Sequence, residues 1–556
     1  MKVACSLILL GLISGMLHAA SLDEARRLTD TRDYSAAIDQ FNALLEKTPD
    51  NADLLMEAAR VNGWADRNAE ASRLYQEALR VDPGRLQDIR GSLAWQLHWS
   101  GQSERALPYF SEELMAKPDD REIRHGMAEV LIAMNRLPEA LQVYREQETR
   151  FPHDQKATRG QARVLMWLDR HEEARAAYEA ILVKLPADRE ARLGMARIAN
   201  LKGRHQSAAQ QLKNLLKEGA DDQVRLELAR ALRWSGDDFA SFKALDAMKG
   251  SEAHELRLQV QNSLKHHVEI NAEFSNDSDD LDIQVYTARL GIHAGEKSGF
   301  HFIVRHARLE QNKDELDGRT LLVGYDTVLG EAGGKYGLVF PSLYLGLRDY
   351  VNWNSPAWTG RLKWLPADDW RWDFEAGNSL IENVQSIRNH VRFDYLSGGF
   401  DYRFSSPWLS SLGLMAGRFD DGNHRTRLNG RLEYKFNNKP MVVMGLEGMG
   451  FQDSDPPVPG RGYWSPDSYR EFKLAARVEG SKSGWDYLLK AALGKLWEEP
   501  GNSHNLYQLE AWLLHRLDDW GSVRIYGGYS DSAALTQGSG GGYSRGYYGI
   551  TLDIPF

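Results

Sequence analysis

Five prolines set the first constraint on the fold. Pro49, Pro83, Pro118, Pro152 and Pro186 follow one another at intervals of 34, 35, 34 and 34 residues. A unit that short cannot bury an apolar face alone, so a period kept over five units demands a stack of like modules. Other residues keep phase with each proline. An alanine stands 12 positions before it (Ala37, Ala71, Ala106, Ala140, Ala174) and an aromatic 8 before it (Phe41, Tyr75, Phe110, Tyr144, Tyr178). Small residues recur earlier in each unit at Ala59, Ala94, Ala128, Ala162 and Ala196. The small residues let two antiparallel helices approach closely, and the aromatic fills the gap to the next helix. The proline ends the second helix, because it lacks an N–H and clashes with the preceding turn.

The period and the helix–turn–helix pattern are those of a tetratricopeptide (TPR) solenoid over roughly residues 22–248, with Ala208 and Leu212 keeping register in a further unit and the segment to about Leu264 capping it or linking it onward. Trp64, Trp99, Trp167 and Trp234 occupy one equivalent place, late in the first helix of four repeats and toward the concave side of such an array. Two readings stand: the rings pack between adjacent repeats, or they stack on the apolar faces of sugar rings as a polymer-binding track. Arrays of this kind without catalytic groups are binding scaffolds.

Ahead of the array, residues 1–20 read as a secretory signal peptide: Lys2, an apolar run from Val3 to Leu17, and small residues at Ala19, Ala20 and Ser21. Cys5, the one cysteine, lies at the start of the apolar run and not after it, which excludes lipoprotein acylation, disulfides and thiolate metal sites in the mature chain.

From about His266 the period changes from helical to alternating. Arg425–Phe436 sets Leu428, Leu432, Tyr434 and Phe436 on one face and Arg425, Arg427, Arg431 and Glu433 on the other. The last residues, Tyr548, Ile550, Leu552, Ile554 and Phe556, share a face. Residues 265–556 hold about 16 strands of membrane-spanning length, so an antiparallel transmembrane β-barrel of about 16 strands is expected after the solenoid. Short connections are expected near 296–298, 330–334, 367–369, 405–407, 437–439, 481–484 and 518–519. Long loops are expected at 275–280, 311–317, 350–356, 379–387, 452–466, 498–503 and 530–544, with a tight exception at 420–423. An even count returns both barrel ends to one side, the periplasm.

The charge of −10 argues against a nucleic-acid binder. Carboxylates outnumber basic groups by roughly 8 over residues 266–556, a surplus that favours neutral or weakly cationic solutes if it lines the lumen. Asp373, Glu375, Asp394, Asp401, Glu433, Glu447, Glu471 and Glu510 are expected to face the lumen with Arg425, Arg427 and Arg431. The alternative role is wall-stiffening ion pairs with Arg371, Arg392, Arg403, Arg425, Arg427, Arg431 and Arg477. The motif Gly542-Tyr543-Ser544-Arg545-Gly546 fits G-x-S-x-G but lacks the strand before and helix after that a nucleophile elbow needs. His266 and His267 lack metal-ligand spacing. No enzyme, cofactor or metal is expected.

Phe419-Asp420-Asp421-Gly422-Asn423-His424-Arg425 and Tyr463-Trp464-Ser465-Pro466-Asp467-Ser468-Tyr469, with the order of parts, resemble the TPR-bearing exopolysaccharide export porins of Gram-negative bacteria. The poly-β-1,6-N-acetylglucosamine porins are more similar and the cellulose-synthesis outer-membrane subunits more distant. The resemblance implies a monomeric barrel in outer-membrane lipid that passes a β-linked, partly deacetylated amino-sugar exopolysaccharide. It also implies a periplasmic array that receives the polymer or docks a polysaccharide-modifying enzyme or lipoprotein, downstream of an inner-membrane glycosyltransferase complex. The array is much shorter than in the larger members. A surface receptor or adhesin whose array anchors a periplasmic complex is the alternative.

Overall fold

The structure, a computed structural model, describes residues 21–556 apart from 247, 406, 456, 457, 459, 500, 502, 518, 519 and 533–542. The expected signal peptide, with Cys5, lies outside the described residues, as does Gly542. Two compact units divide between Ile198 and Ala199.

The first unit consists of paired helices. Helices α1 (Leu22–Asp30) to α4 (Asn68–Val81), with α2 (Tyr34–Lys47) and α3 (Ala52–Trp64) between them, are followed by α5 (Leu86–Trp99), α6 (Ser103–Ala116), α7 (Arg121–Ala133) and α8 (Leu137–Arg150). Then come α9 (Gln155–Trp167), α10 (His171–Lys184) and the start of α11 (Arg189–Leu201). As expected from proline, α2, α4, α6, α8 and α10 each stop two residues short of one. Two residues past four of the prolines sits a side chain that caps the next helix. Asn51 accepts from the Leu54 amide at 3.0 Å, Asp120 from Ile123 at 3.1 Å, Asp154 from Ala157 at 3.3 Å and Asp188 from Ala191 at 2.8 Å. After Pro83, where the period lengthens to 35, a 3₁₀ turn over Pro83–Arg85 replaces this cap.

All ten in-phase alanines are fully buried, and the in-phase aromatics are at most 4% exposed. The aromatics seat on glycines of the next helix. A Cβ on Gly126 would lie 2.4 Å from the Phe110 ring, and one on Gly160 or Gly194 would lie 2.3 Å from the ring of Tyr144 or Tyr178.

The second unit contains the last helices, α12 (His205–Glu218), α13 (Asp222–Trp234), α14 (Asp238–Ala244) and α15 (Ser251–Ser263), and the barrel. The compact boundary therefore falls well before the change of secondary structure near residue 264, because these helices are bonded to the barrel's turns. The second and third amides of α12, those of Gln206 and Ser207, donate to the Asp368 carboxylate at 2.7 and 2.9 Å, so a barrel turn caps a helix. Lys213 Nζ donates to the Ala332 carbonyl at 2.9 Å, and Lys297 Nζ meets the buried Asp237 carboxylate at 2.8 Å.

Among the described residues the barrel has sixteen antiparallel strands. They are β1 (His267–Asp277), β2 (Leu281–His293), β3 (Ser298–Gln311), β4 (Asp314–Thr327, continued by Leu329–Gly330), β5 (Leu338–Tyr350), β6 (Trp353–Ala367), β7 (Trp370–Leu380) and β8 (Arg392–Ser405). The second half comprises β9 (Trp408–Phe419), β10 (His424–Asn438), β11 (Met441–Asp453), β12 (Ser468–Lys482), β13 (Trp485–Glu499), β14 (Ser503–Arg516), β15 (Ser522–Ser530) and β16 (Arg545–Pro555). Each pairs with the next, and β16 pairs with β1 from His267↔Pro555 to Asp277↔Arg545, so no edge is left open. The fold is thus a TPR-like helical array followed by a closed transmembrane β-barrel.

The outward face is apolar, with Leu343, Leu345, Leu347, Leu412, Leu414, Phe472, Leu474, Leu493 and Ile550 exposed along it. Rings crowd one rim of β7–β10, where Trp370 and Tyr402 lie 4.3 Å apart and Phe404 and Trp408 6.0 Å apart. No helix among the described residues is long and apolar enough to cross a membrane.

Three expected long loops are much shorter: 275–280, 311–317 and 350–356 shrink to 278–280, 312–313 and 351–352. Their acidic and amide residues are paired strand residues instead, as in Glu310↔Glu315 and the Arg308–Glu315 ion pair at 2.7 Å. Asn312 and Lys313 both have positive φ (52° and 68°), which closes a two-residue hairpin.

Candidate functional site

The lumen-facing set follows from the two-residue alternation of a strand: if one face meets lipid, every second residue meets the interior. On β7 to β12 that places Arg371, Asp373 and Glu375, then Asp401, Ser411, Arg425, Arg427, Asn429, Arg431, Glu433, Glu447, Glu471 and Lys473 inside; Glu510 follows on β14. Asp394 is the exception among the expected residues. It has the parity of the lipid-exposed Leu396, opposite to Asp401, and pairs outward with Arg392 at 3.4 Å. Seven residues separate Asp394 from Asp401, an odd number, so one strand cannot turn both inward without a bulge.

Direct cross-strand neighbours form a row of mostly alternating charge: Arg371↔Asp401↔Ser411↔Arg431↔Glu447↔Lys473. Arg371 meets Asp373 at 2.6 Å, Arg361 meets Glu375 at 2.8 Å, and Arg431 meets Asp401 at 3.5 Å. Glu447 holds Lys490 at 2.7 Å, Glu471 holds Lys473 at 2.9 Å, and Glu433 holds Arg477 at 3.6 Å. These carboxylates are therefore ion-paired along the wall. Carboxylates and basic groups are close to equal on the lumen-facing strand positions, so the acidic surplus of the second half does not line the lumen. Arg427 takes no ion pair or hydrogen bond among the described residues, and its Nε is buried without a partner.

At the end of the barrel away from the chain's β1 start, described residues of three connections pack on inward-facing side chains of the strands. Residues 381–391 include a short helix, α16 (Val384–Arg388), whose Val384 and Ile387 pack on the lumen-facing Ile283, Ala307, Leu309 and Leu316 of β2–β4. Glu382 in this segment makes a two-point ion pair with Arg305 (2.6 and 2.8 Å) and accepts from the Tyr350 hydroxyl at 3.2 Å. From residues 454–467, the Gly462 carbonyl accepts from Asn383 Nδ2 at 2.7 Å. Arg425 joins Asp453 (2.7 Å) to the Trp464 carbonyl (2.7 Å). Tyr463 stacks on Phe419 at 4.1 Å and donates to Asp421 at 2.8 Å, and Asn423 Nδ2 donates to the Tyr463 hydroxyl at 3.2 Å. Both segments that carried the family resemblance thus meet in this cover. From the third connection, Tyr543 packs with Phe451, Tyr469 and Leu506. Ser544 bonds through its backbone to Ser278, at 3.0 and 2.9 Å.

In the helical array, Trp64, Trp99, Trp167 and Trp234 are each the last residue of α3, α5, α9 and α13, and each is 50–54% exposed. One side of each ring is supported: Tyr34 at 6.1 Å, Trp95 at 5.0 Å, the Arg163 guanidinium at 5.7 Å and His205 at 5.5 Å respectively. Each ring is thus half exposed and half packed on a neighbouring side chain, so a packing contact and an open face are both present. Ala133 and Leu201 take the same helix-ending place in α7 and α11. Burial pushes the supporting His205 imidazole down to about 4, aided by the charge of Arg403. No cluster of three or more His, Asp or Glu disposed to hold a metal occurs among the described residues.

A family model described as tetratricopeptide repeat matches residues 22–85 and 159–225. No curated protein matches the chain. Among solved structures the chain is similar to a bacterial polysaccharide outer membrane secretin, at 11% identity over 53% of this chain and 99% of that one, with a TM-score of 0.44. It is also similar to a tetratricopeptide repeat protein from Parabacteroides merdae, at 17% identity over 43% of this chain and 97% of that one, with a TM-score of 0.39. A third is Pseudomonas aeruginosa OccK11 (OpdR), at 11% identity over 52% and 96%, with a TM-score of 0.29.

Proposed function

We propose that this protein is an outer-membrane export channel for a β-linked exopolysaccharide, with its helical array in the periplasm and no catalytic step of its own. One observation carries the reading: a closed barrel with a polar, ion-paired lumen follows an array that repeats a half-exposed tryptophan at one helix-ending position. A ring open on one side suits the apolar face of a pyranose. Stacking on the order of 1 kcal/mol per ring holds a chain only when several act together, and loosely enough to release it. The array receives the polymer, docks a modifying enzyme or lipoprotein, or does both, and an inner-membrane glycosyltransferase complex drives the chain outward. The amino-sugar identity of the polymer rests on the family resemblance alone. The receptor alternative places its binding on the long outer loops 452–466 and 530–544.

Deletion of the gene tests the reading. The producing cell is expected to lose surface polysaccharide and to retain polymer in the periplasm, with full-length protein restoring the surface pool. Unchanged surface polymer in the deletion strain overturns it.

A further inference from the structure

The inner face of the strand wall has a groove that crosses β5 to β13. Two adjoining cavities, of ≈ 650 and ≈ 400 Å³, share Asp373, Gly399, Gly413, Arg427 and Asn429. Each is of the size of a small-ligand cleft, roughly 300–1,000 Å³. The hollow arises because Gly399 and Gly413, direct cross-strand neighbours, put no side chain between the charged residues around them. The Asn429 amide lies across this gap, since a Cβ on Gly413 would come within 2.9 Å of its Oδ1.

The charges around the groove do not cancel. Its five carboxylates, Asp373, Glu375, Asp401, Glu447 and Glu471, each hold a basic partner, as described above. Two cations remain. Arg427 has no carboxylate in reach and a buried, unpartnered Nε. Lys363 stands over the Phe340 ring, 4.9 Å from its centroid. A guanidinium offers a planar fork matched to a carboxylate, and an open amide beside it suits ring hydroxyls.

We propose that this groove is a binding subsite for one acidic sugar residue of the transiting chain, a uronate whose carboxylate pairs with Arg427 while Asn429 bonds its hydroxyls. The subsite rests on the export reading and narrows its cargo to a polymer carrying acidic residues, unlike the amino-sugar chain of the family resemblance. Lys363 adds long-range attraction, and the ion-paired carboxylates around it set the edges.

Equilibrium dialysis of the full-length protein in detergent tests it, with a labelled uronic-acid trisaccharide as probe and its methyl ester as the uncharged twin. The acid is expected to bind at least about tenfold more tightly than the ester. Arg427→Gln should abolish that difference, and Arg427→Lys should restore part of it. Gly413→Ala, which displaces Asn429, should weaken both ligands. Heat-modifiable migration on gels verifies that each variant is a folded barrel. Equal binding of acid and ester, acid binding undiminished in folded Arg427→Gln, or no binding of either ligand overturns the subsite. The export reading is judged separately, by surface polymer in the deletion strain, so the two fail independently.

Discussion

At the residue scale, the array depends on glycines where helix propensity asks for alanine. Gly160 lies beneath the Tyr144 ring, which would be 2.3 Å from an added Cβ. Alanine gains about 1 kcal/mol in propensity, but overpacking a fully buried ring costs typically 1–3 kcal/mol. The ring cannot retreat, because its hydroxyl donates to Glu129 at 2.6 Å. The clash should win, and Gly160→Ala is expected to destabilise the helical transition, followed by circular dichroism at 222 nm, by up to about 2 kcal/mol; an unchanged or raised midpoint refutes the seat. His205 gives a pH dependence. Its folded pKa, about 4, lies below its ordinary 6.5. Below pH 6.5 the unfolded chain takes up a proton that the folded one refuses. Stability should therefore fall as pH drops from about 6.5 to about 4 and level off below. His205→Gln should flatten that slope in thermal melts; a slope of the same size in the variant would assign it elsewhere.

At the element scale, the segment 381–391 is held by one charged contact and a small apolar patch. Arg305 and Glu382 are each about a quarter exposed, so the pair is partly shielded from water. Glu382→Ala leaves Arg305 and the Tyr350 hydroxyl without this partner, a loss on the order of 2 kcal/mol. If the segment closes the lumen, its open population should rise about 30-fold, read as more frequent conductance events in planar bilayers. Identical event frequencies would mean that the segment is not the barrier. The other end is held differently, by the helix start of α12 on Asp368, which fastens a solenoid element to a barrel turn.

At the scale of the whole molecule, a polymer channel needs a weak hold on its cargo before the lumen and a shaped path within it. Replacing Trp64 and Trp99 together by alanine is expected to lower binding of an uncharged β-linked oligosaccharide to the full-length protein at least threefold. The melting transition should move by no more than a few degrees, since both rings are half exposed. A large loss of stability with unchanged binding would make the rings packing residues instead.

The sequence was enough for the class of both parts, because each rests on a period. The proline spacing needs no tertiary contact to be seen, and period-two alternation assigns a face to Arg427, Arg431 and Glu433 on one strand and to Glu447 on the next. Asp394 shows where a local reading slips: its charge suggested the lumen, but parity with Leu396 turns it outward. The shortened hairpins at 312–313 and 351–352 were missed because strands that rise beyond the apolar band carry loop-like residues on both faces. Three features came only from tertiary structure: the inward fold of residues 381–391, the fastening of α12 to Asp368, and the groove around Gly413. Each depends on residues distant in sequence, such as Asp368 and Gln206 or Glu382 and Arg305, meeting in space. Period and composition report which face a side chain takes, whereas its partner is set by how the chain closes on itself.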